Sequence, residues 1–548
     1  MGFRRRPVVV AVALTALVVA CEQVQLADAR REYFSLVYNL DSPAALGLRV
    51  ADWLALFALQ AAFFWVALLS SPRARIACLA VFAAVTFFEY GHVKFQGILP
   101  TSSFLHTALT SVPLWTDAVD ANVDWRALVP VGLFGAACVL VPAGHGAQPR
   151  RVALVLLLTL LAHSGYALAP LDPGKWSPPA GDVAGGVAHN VPPVTMQAFA
   201  RSATLFAWTH AHLAWSGREQ PAFAPTTASA PSRHLVLVID ETVAARRLTL
   251  NGHERPTTPW LDTLARRGRL TNWGIAASVA AASDPSVAAL LTGLQALPDH
   301  DRAIFRRPTV FHYAKAMGFQ TRLFDGQLAL PVRFGLRVSD RRTVDDFRGT
   351  EDFGSDVDTD FRMARAVRTA LRRSEPQFVV VLKRGIHSPY TRNYPPAQAA
   401  WGPEADGQTL DRDQRESADA YDNALRYNLD RFFREILAED GSLPGAVLLY
   451  TADHGRQEAT LRRSHSVPLL MFGDDRPRVD VGYRASHFNI FPTLLDLMGV
   501  PRDARPPAAA RSLLEARATD NDRRLTIDGD IFGRESFQIV NFDEMPQQ

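Results

Sequence analysis

Five apolar runs, at residues 8–21, 50–70, 76–90, 127–143 and 152–170, crowd into the first third of a 548-residue chain. No other feature constrains the fold as strongly. Residues 152–162 (VALVLLLTLLA) show almost no polar position, whereas a helix on a soluble core turns a polar stripe to water every three to four residues. The runs are therefore read as membrane-spanning helices, with buried helices of a large soluble core as the competing reading. Several fall short of the ~20 residues a span needs, and their bounding residues extend most of them. Charge changes at the same boundary: the first 175 residues hold 23 Asp, Glu, Lys and Arg, and the remaining 373 hold 90.

The short connections set an orientation. Arg4, Arg5 and Arg6 precede the first run, Arg73 and Arg75 lie between the second and third, and Arg150 and Arg151 precede the fifth. Positive residues stay in the cytoplasm, and Arg30, Arg31 and Arg49 on the other side weaken that bias without reversing it. Five spans with the N-terminus inside place everything after about residue 175 outside the cytoplasm. Val18 to Cys21, behind an Arg-rich start, also resembles a bacterial lipoprotein cleavage site; cleavage there leaves four spans and the same export. Cys21, Cys78 and Cys138 all lie in the apolar runs, so the exported part has no thiol, forms no disulfide and relies on its own core.

The expected organisation is a transmembrane anchor over residues 1–175, a linker over 176–232 and a folded domain over 233–548. Residues 172–195 are rich in Gly and Pro. Residues 193–215 read as a helix with interleaved Phe199, Leu205, Phe206, Trp208 and Trp215, suited either to the membrane surface or to a seat on the folded domain. Residues 220–232 form a second linker. A formal charge of only +3 argues against a nucleic-acid binder.

In the C-terminal part, β-type runs at His234–Ile239, Phe378–Leu382, Ala446–Tyr450 and Pro468–Phe472 are separated by helical patterns at 258–267, 285–294, 309–317, 360–373, 418–437 and 489–498. Continuous apolar strands alternating with helices indicate an α/β domain with a parallel sheet covered on both faces. Chemistry in such sheets collects at the carboxyl ends of the strands. Asp240, Glu241 and Thr242 follow the first run, Lys383 and His387 the second, and Thr451, Asp453 and His454 the third. One acidic residue after a strand is more often a helix cap, but a carboxylate from one strand end and an Asp-His pair from another suit zinc, which accepts oxygen and imidazole nitrogen together. His387 and His465 are candidates for a second metal position or for holding an anionic substrate.

These residues resemble the alkaline phosphatase superfamily and, within it, the membrane-bound phosphoethanolamine transferases of Gram-negative bacteria. Glu241-Thr242 through Leu250-Asn251-Gly252-His253-Glu254-Arg255-Pro256-Thr257-Thr258-Pro259-Trp260-Leu261 keeps the spacing of the family's first block. Gly385-Ile386-His387-Ser388-Pro389-Tyr390, Tyr421-Asp422-Asn423, Tyr450-Thr451-Ala452-Asp453-His454-Gly455 and Ser486-His487-Phe488-Asn489 follow in the family's order. Ser283-Asp284-Pro285-Ser286-Val287 through Leu290-Leu291-Thr292-Gly293 is similar to the sulfatase signature and to its transferase variant, and both put the attacking atom at Ser283. The alternatives are that Ser283 caps a helix beginning at Pro285, or that Ser278 or Ser286 is the nucleophile. Formylglycine sulfatases resemble one another in having Arg where Val287 stands, which disfavours a sulfatase. The chain departs from the family in its serine nucleophile, in Asp240 for glycine, and in Ala244-Ala245-Arg246-Arg247 for the family's R-A-D-H.

The resemblance implies a sulfatase-like α/β domain behind about five spans, in the bacterial inner membrane with its catalytic domain in the periplasm. It implies one or two Zn²⁺, or another divalent metal, on Glu241, Ser283, Asp453 and His454, with His387 and His465 as catalytic or second-metal histidines. Phosphatidylethanolamine would be the donor, and lipid A, lipopolysaccharide core or an envelope glycan the acceptor, through a phospho-serine. Phosphoglycerol transfer, another sulfatase-like phosphoesterase activity and a catalytically silent envelope scaffold are the alternative readings.

Overall fold

The computed structural model describes residues 7–26, 43–96, 123–142, 154, 221, 233–293, 307–327, 336, 338–403, 417–456, 464–506, 510–520, 522–528 and 538–545. The chain divides into two compact units, with the change at His210–Ala211. The interfacial helix expected at 193–215, the linker at 220–232 apart from residue 221, and all but one residue of the run at 152–170 lie outside the described residues.

Four helices of the first unit carry the other apolar runs: α1 (Pro7–Gln25), α2 (Pro43–Leu69), α3 (Pro72–Gln96) and α4 (Leu128–Leu140). Pro7–Gln25 and Pro72–Gly91 are long and apolar enough to cross a membrane; Phe57–Leu69 and Trp125–Leu140 are shorter apolar segments. Leu14, Val18, Phe64, Phe82 and Phe134 form a shared core, with the Phe64 and Phe134 rings 4.7 Å apart. Arg75 is buried because it has work to do there. Its guanidinium donates to the carbonyls of Leu68, Cys138, Val141 and Pro142, which are carbonyls at the ends of α2 and α4 that have no partner within the helix.

The second unit is built on a seven-stranded sheet in the order β2-β7-β6-β1-β5-β3-β4. Its strands are β1 (His234–Asp240), β2 (Leu270–Ala277), β3 (Gln320–Asp325), β4 (Asp346–Arg348), β5 (Gln377–Leu382), β6 (Ala446–Ala452) and β7 (Ser466–Phe472). Helices α5 (Pro259–Arg266), α6 (Ser283–Thr292), α7 (Val310–Ala316), α8 (Thr359–Ala370), α9 (Ala418–Ile436) and α10 (Ile490–Met498) alternate with them. The four central strands are buried along almost their whole length. That is why they read as uninterrupted apolar runs, each buried side chain contributing at about 25 cal/mol per Å² of apolar surface removed from water.

The sheet is mostly parallel and not wholly so. β7 runs antiparallel to β6, and β2 antiparallel to β7. β2, β3, β4 and a small hairpin of β8 (Leu525–Asp528) and β9 (Gln538–Asn541) had no apolar run to announce them. β2 mixes buried and half-buried positions without strict alternation, and its pairing with β7 shifts between Asn272 and Ile275, where Gly274 adopts a positive φ of 73°.

Candidate active site

Strand register assembles the site. β1 lies between β5 and β6, parallel to both, with Asp240 level with Ala452 and Ile239 level with Leu382 and Thr451. The residues that follow, Glu241 from β1 and Asp453-His454 from β6, therefore emerge side by side. β7 runs the other way, so the residue preceding it, His465, arrives at this same edge. β2 ends there too, opposite Ser466, and leads through residues 278–282 to Ser283.

Glu241, Asp453 and His454 are buried, and their candidate ligand atoms lie within 4.8 Å of one another. The His454 Nε2 is 3.6 Å from Glu241 Oε1 and 3.7 Å from Asp453 Oδ2. Its Nδ1 is 2.7 Å from the Gly455 carbonyl, so that nitrogen carries a hydrogen and Nε2, facing the carboxylates, is the atom left for a metal. Asp453 Oδ1 accepts the backbone N–H groups of Thr242 and His454 at 2.9 and 2.7 Å, while Oδ2 is buried with no partner. Burial and the neighbouring Glu241 charge push the Asp453 carboxyl up to about 6. Burial pulls His454 down, but the two carboxylates outweigh it and raise the imidazole. Two buried carboxylates, an oriented imidazole and an orphaned oxygen fit a divalent cation of the zinc type.

Ser283 is the first residue of α6, whose N-cap is Ala282. Its hydroxyl does not cap the helix. Oγ lies 3.2 Å from Glu241 Oε2 and 3.5 Å from both Glu241 Oε1 and His454 Nε2. The alternative serines face elsewhere: Ser278 and Ser286 are fully buried and both donate to the Ala280 carbonyl, at 2.7 and 3.2 Å.

The histidines separate into different environments. His465 is fully buried; its Nδ1 lies 2.7 Å from Thr526 Oγ1, whose own hydrogen goes to the Val279 carbonyl. His465 Nδ1–H therefore donates, and Nε2 is a buried lone pair with no partner. Burial, with His454 adding to it, lowers this ring to about 4. His387 is solvent-exposed, with Nδ1–H donating to the Ser388 carbonyl at 2.7 Å. His487 is structural: Nδ1 accepts from the Val279 amide at 3.2 Å and Nε2–H donates to Thr451 Oγ1 at 3.1 Å.

Several supporting residues hold Glu241. Thr242 takes a positive φ of 62°, strained for a β-branched residue, and donates its hydroxyl to Glu241 Oε1 at 2.6 Å. Tyr421, the first residue of the Tyr-Asp-Asn block, accepts from the Ala244 amide at 2.8 Å and donates to the Thr242 carbonyl at 2.7 Å. Gln327 donates to Glu241 Oε2 at 3.1 Å. Sequence reasoning missed Gln327, since a lone Gln after a short polar strand carries no signal of its own.

Residues 233–500 match the sulfatase family model. The phosphoethanolamine transferase EptC of Escherichia coli K12 is 23% identical over 347 residues, covering 57% of this chain and 58% of that protein. The phosphoethanolamine transferase CptA of Salmonella typhimurium is 25% identical over 353 residues, with the same shares. The chain thus spans a little over half the length of these curated relatives. The crystal structure of the C-terminal periplasmic domain of EcEptC from Escherichia coli in complex with Zn shares its fold, with a TM-score of 0.50 at 22% identity over 60% of this chain and 98% of that one. The sulfatase match thus takes in the whole seven-stranded sheet, and the curated relatives to which the chain is similar are named phosphoethanolamine transferases.

Proposed function

We propose that this chain is a metal-dependent transferase that moves phosphoethanolamine from phosphatidylethanolamine to an acceptor of the cell envelope: lipid A, lipopolysaccharide core or a glycan. The observation that carries the reading is the Ser283 hydroxyl, 3.2 Å from Glu241 and 3.5 Å from His454 at the edge of a buried two-carboxylate site. The names of the relatives supply the transferred group.

Glu241, Asp453, His454 and the Ser283 oxygen would hold a zinc ion, which when bound lowers the pKa of the hydroxyl and offsets charge on the phosphate. Ser283 releases its proton to solvent water and its Oγ attacks the phosphorus; the bond from phosphorus to the diacylglycerol oxygen breaks, that oxygen takes up a proton, and a phosphoethanolamine ester of Ser283 remains. The N-terminus of α6 turns its free N–H groups toward the arriving phosphate. An acceptor oxygen then attacks the same phosphorus, and Ser283 leaves and recovers its proton. His387 and His465, with Nδ1–H engaged and Nε2 as a lone pair, suit a second metal position. Protonated by the approach of a phosphate, they would hold its oxygens and deliver the leaving group's proton.

The same reading takes all five apolar runs as spans. It assigns residues 1–175 to the anchor, 176–232 to the linker and 233–548 to a catalytic domain on the periplasmic side of a bacterial inner membrane; α1 and α3, each long enough to cross, support it. The test uses the full chain in lipid vesicles with zinc and either ethanolamine-labelled phosphatidylethanolamine or glycerol-labelled phosphatidylglycerol, with mass spectrometry of the peptide containing Ser283. Label from the first donor on Ser283, absent in Ser283→Ala, is expected. Label only from the second donor means phosphoglycerol transfer. An adduct that survives in Ser283→Ala refutes the nucleophile, and no adduct from either donor favours the silent scaffold.

A further inference from the structure

Asp240 and Lys383 are both fully buried and face each other as an ion pair, brought level by the parallel register of β1 and β5. Asp240 Oδ2 also accepts from the Tyr450 hydroxyl at 2.9 Å, and its Oδ1 accepts the backbone N–H of Glu241 at 2.9 Å. Lys383 Nζ donates to Asn428 Oδ1 at 2.6 Å and sits 4.4 Å from the centre of the Phe432 ring. Asn428 in turn donates to Asp360, whose carboxylate receives the amides of Arg384 and Gly385 at 2.8 and 3.0 Å. Lys383 Nζ also lies 3.8 Å from Asp360 Oδ2, so one buried cation serves two buried carboxylates; taking such charges out of water costs about as much as their attraction returns, and stability gives the arrangement little reason to exist.

The pair belongs to a closed circuit around Glu241. Lys383 holds Asp240 through its ammonium group, while its carbonyl accepts from Gln327 Nε2 at 2.6 Å. The same Gln327 amide donates to Glu241 Oε2 at 3.1 Å. The turn that follows Lys383 closes on Glu241 from the other side: the Ile386 amide donates to the Glu241 carbonyl at 3.2 Å. At Gly385, with φ +60°, a Cβ would come within 2.6 Å of Asp240 Oδ1 and of Glu241 Cβ. The main chain, the carbonyl and the carboxylate of Glu241 are each fixed by a member of this circuit.

We propose that the buried Asp240–Lys383 pair, through Asp240 Oδ1 on the Glu241 amide, works with Gln327 on the Glu241 carboxylate as a positioning device that presets that carboxylate for the metal. It serves the site and not the stability of the fold. The proposal rests on the metal reading above, and its test does not require turnover. Zinc affinity of the full chain in detergent is measured by competition with a chromogenic chelator, beside the melting temperature of the metal-free protein. The double variant Asp240→Asn/Lys383→Met should melt close to wild type yet bind zinc about ten-fold or more weakly, the size of effect seen when groups that orient metal ligands are removed. Gln327→Leu, at a half-buried position, should weaken zinc in the same direction and decides the matter if the double variant does not fold. Wild-type zinc affinity in the folded double variant or in Gln327→Leu overturns the proposal, as does a metal-free double variant that loses melting temperature along with affinity. A wild-type chain that binds no zinc overturns the metal reading itself.

Discussion

Tyr421→Phe isolates one oxygen at the back of the site. The Tyr421 hydroxyl is buried between the Ala244 amide, which donates to it at 2.8 Å, and the Thr242 carbonyl, which accepts from it at 2.7 Å. Burial holds its pKa well above the usual tyrosine value, so it stays a neutral donor and acceptor. Phenylalanine fills the same ring space, packed edge to face with Tyr390 at 4.9 Å, and leaves both backbone groups buried without partners. Each orphan costs ~1–3 kcal/mol, so the pair costs about 2–6 kcal/mol. For a domain of about 300 residues, at ~2 cal/mol/K of unfolding entropy per residue, that lowers the melting temperature by about 3–9 °C. Thr242 holds its strained φ through three hydrogen bonds, to Asp453, Glu241 and Tyr421, and losing one loosens the segment that carries Glu241. The assay is thermal unfolding of the full chain in detergent, with hydrogen exchange at the Ala244 amide and zinc titration. Faster exchange at Ala244 and weaker zinc binding should accompany the lower melting temperature. A melting temperature within about 1 °C of wild type with unchanged exchange would refute the reasoning.

Three other outcomes are expected. Ser283→Ala should abolish the covalent adduct and keep zinc affinity within about ten-fold, since Glu241, Asp453 and His454 remain. Asp430, buried and accepting the amides of Trp260 and Leu261 at 2.7 and 3.2 Å, is raised to about 6 by burial. Between the ordinary carboxylate value and that pKa the folded state binds a proton the unfolded chain releases, so stability falls as pH rises through about 4 to 6, by at most about 3 kcal/mol; denaturant unfolding across this window should show a steeper fall than in Asp430→Asn. His487 behaves with the opposite sign: burial lowers it to about 3, so its contribution is present above the ordinary histidine pKa and lost as pH falls toward 3. His487→Gln should flatten the acid limb of the unfolding curve.

Much of the domain could be read from residue order because burial leaves a mark on composition. β1, β5 and β6 are central and apolar over most of their length, and the residues after them include the three whose side chains gather as a candidate metal site. β2 and β3 left no such mark, since Asn272, Gly274 and Arg322 interrupt any apolar pattern. Ser283 was legible only through resemblance to the sulfatase signature, because a serine at the start of a helix is otherwise the commonest of caps. Gln327 was not legible at all: its importance comes from one amide that meets both Glu241 and the Lys383 carbonyl.

Residue order alone determined the crowding of apolar runs into the first third of the chain, the alternation of strand and helix after residue 233, and the placing of Glu241, Asp453 and His454 beyond strand ends. These are local consequences of which side chains seek water. Direction and register belong to the tertiary structure. β7 runs antiparallel, so His465, which precedes its strand, reaches the edge where other strands finish; in a wholly parallel sheet it would lie at the far end. Asp240 faces Lys383 only because β1 and β5 pair in one register across 143 residues of sequence. A charge buried by such a pairing has no local signature, and its partner can be named only once the strands lie side by side.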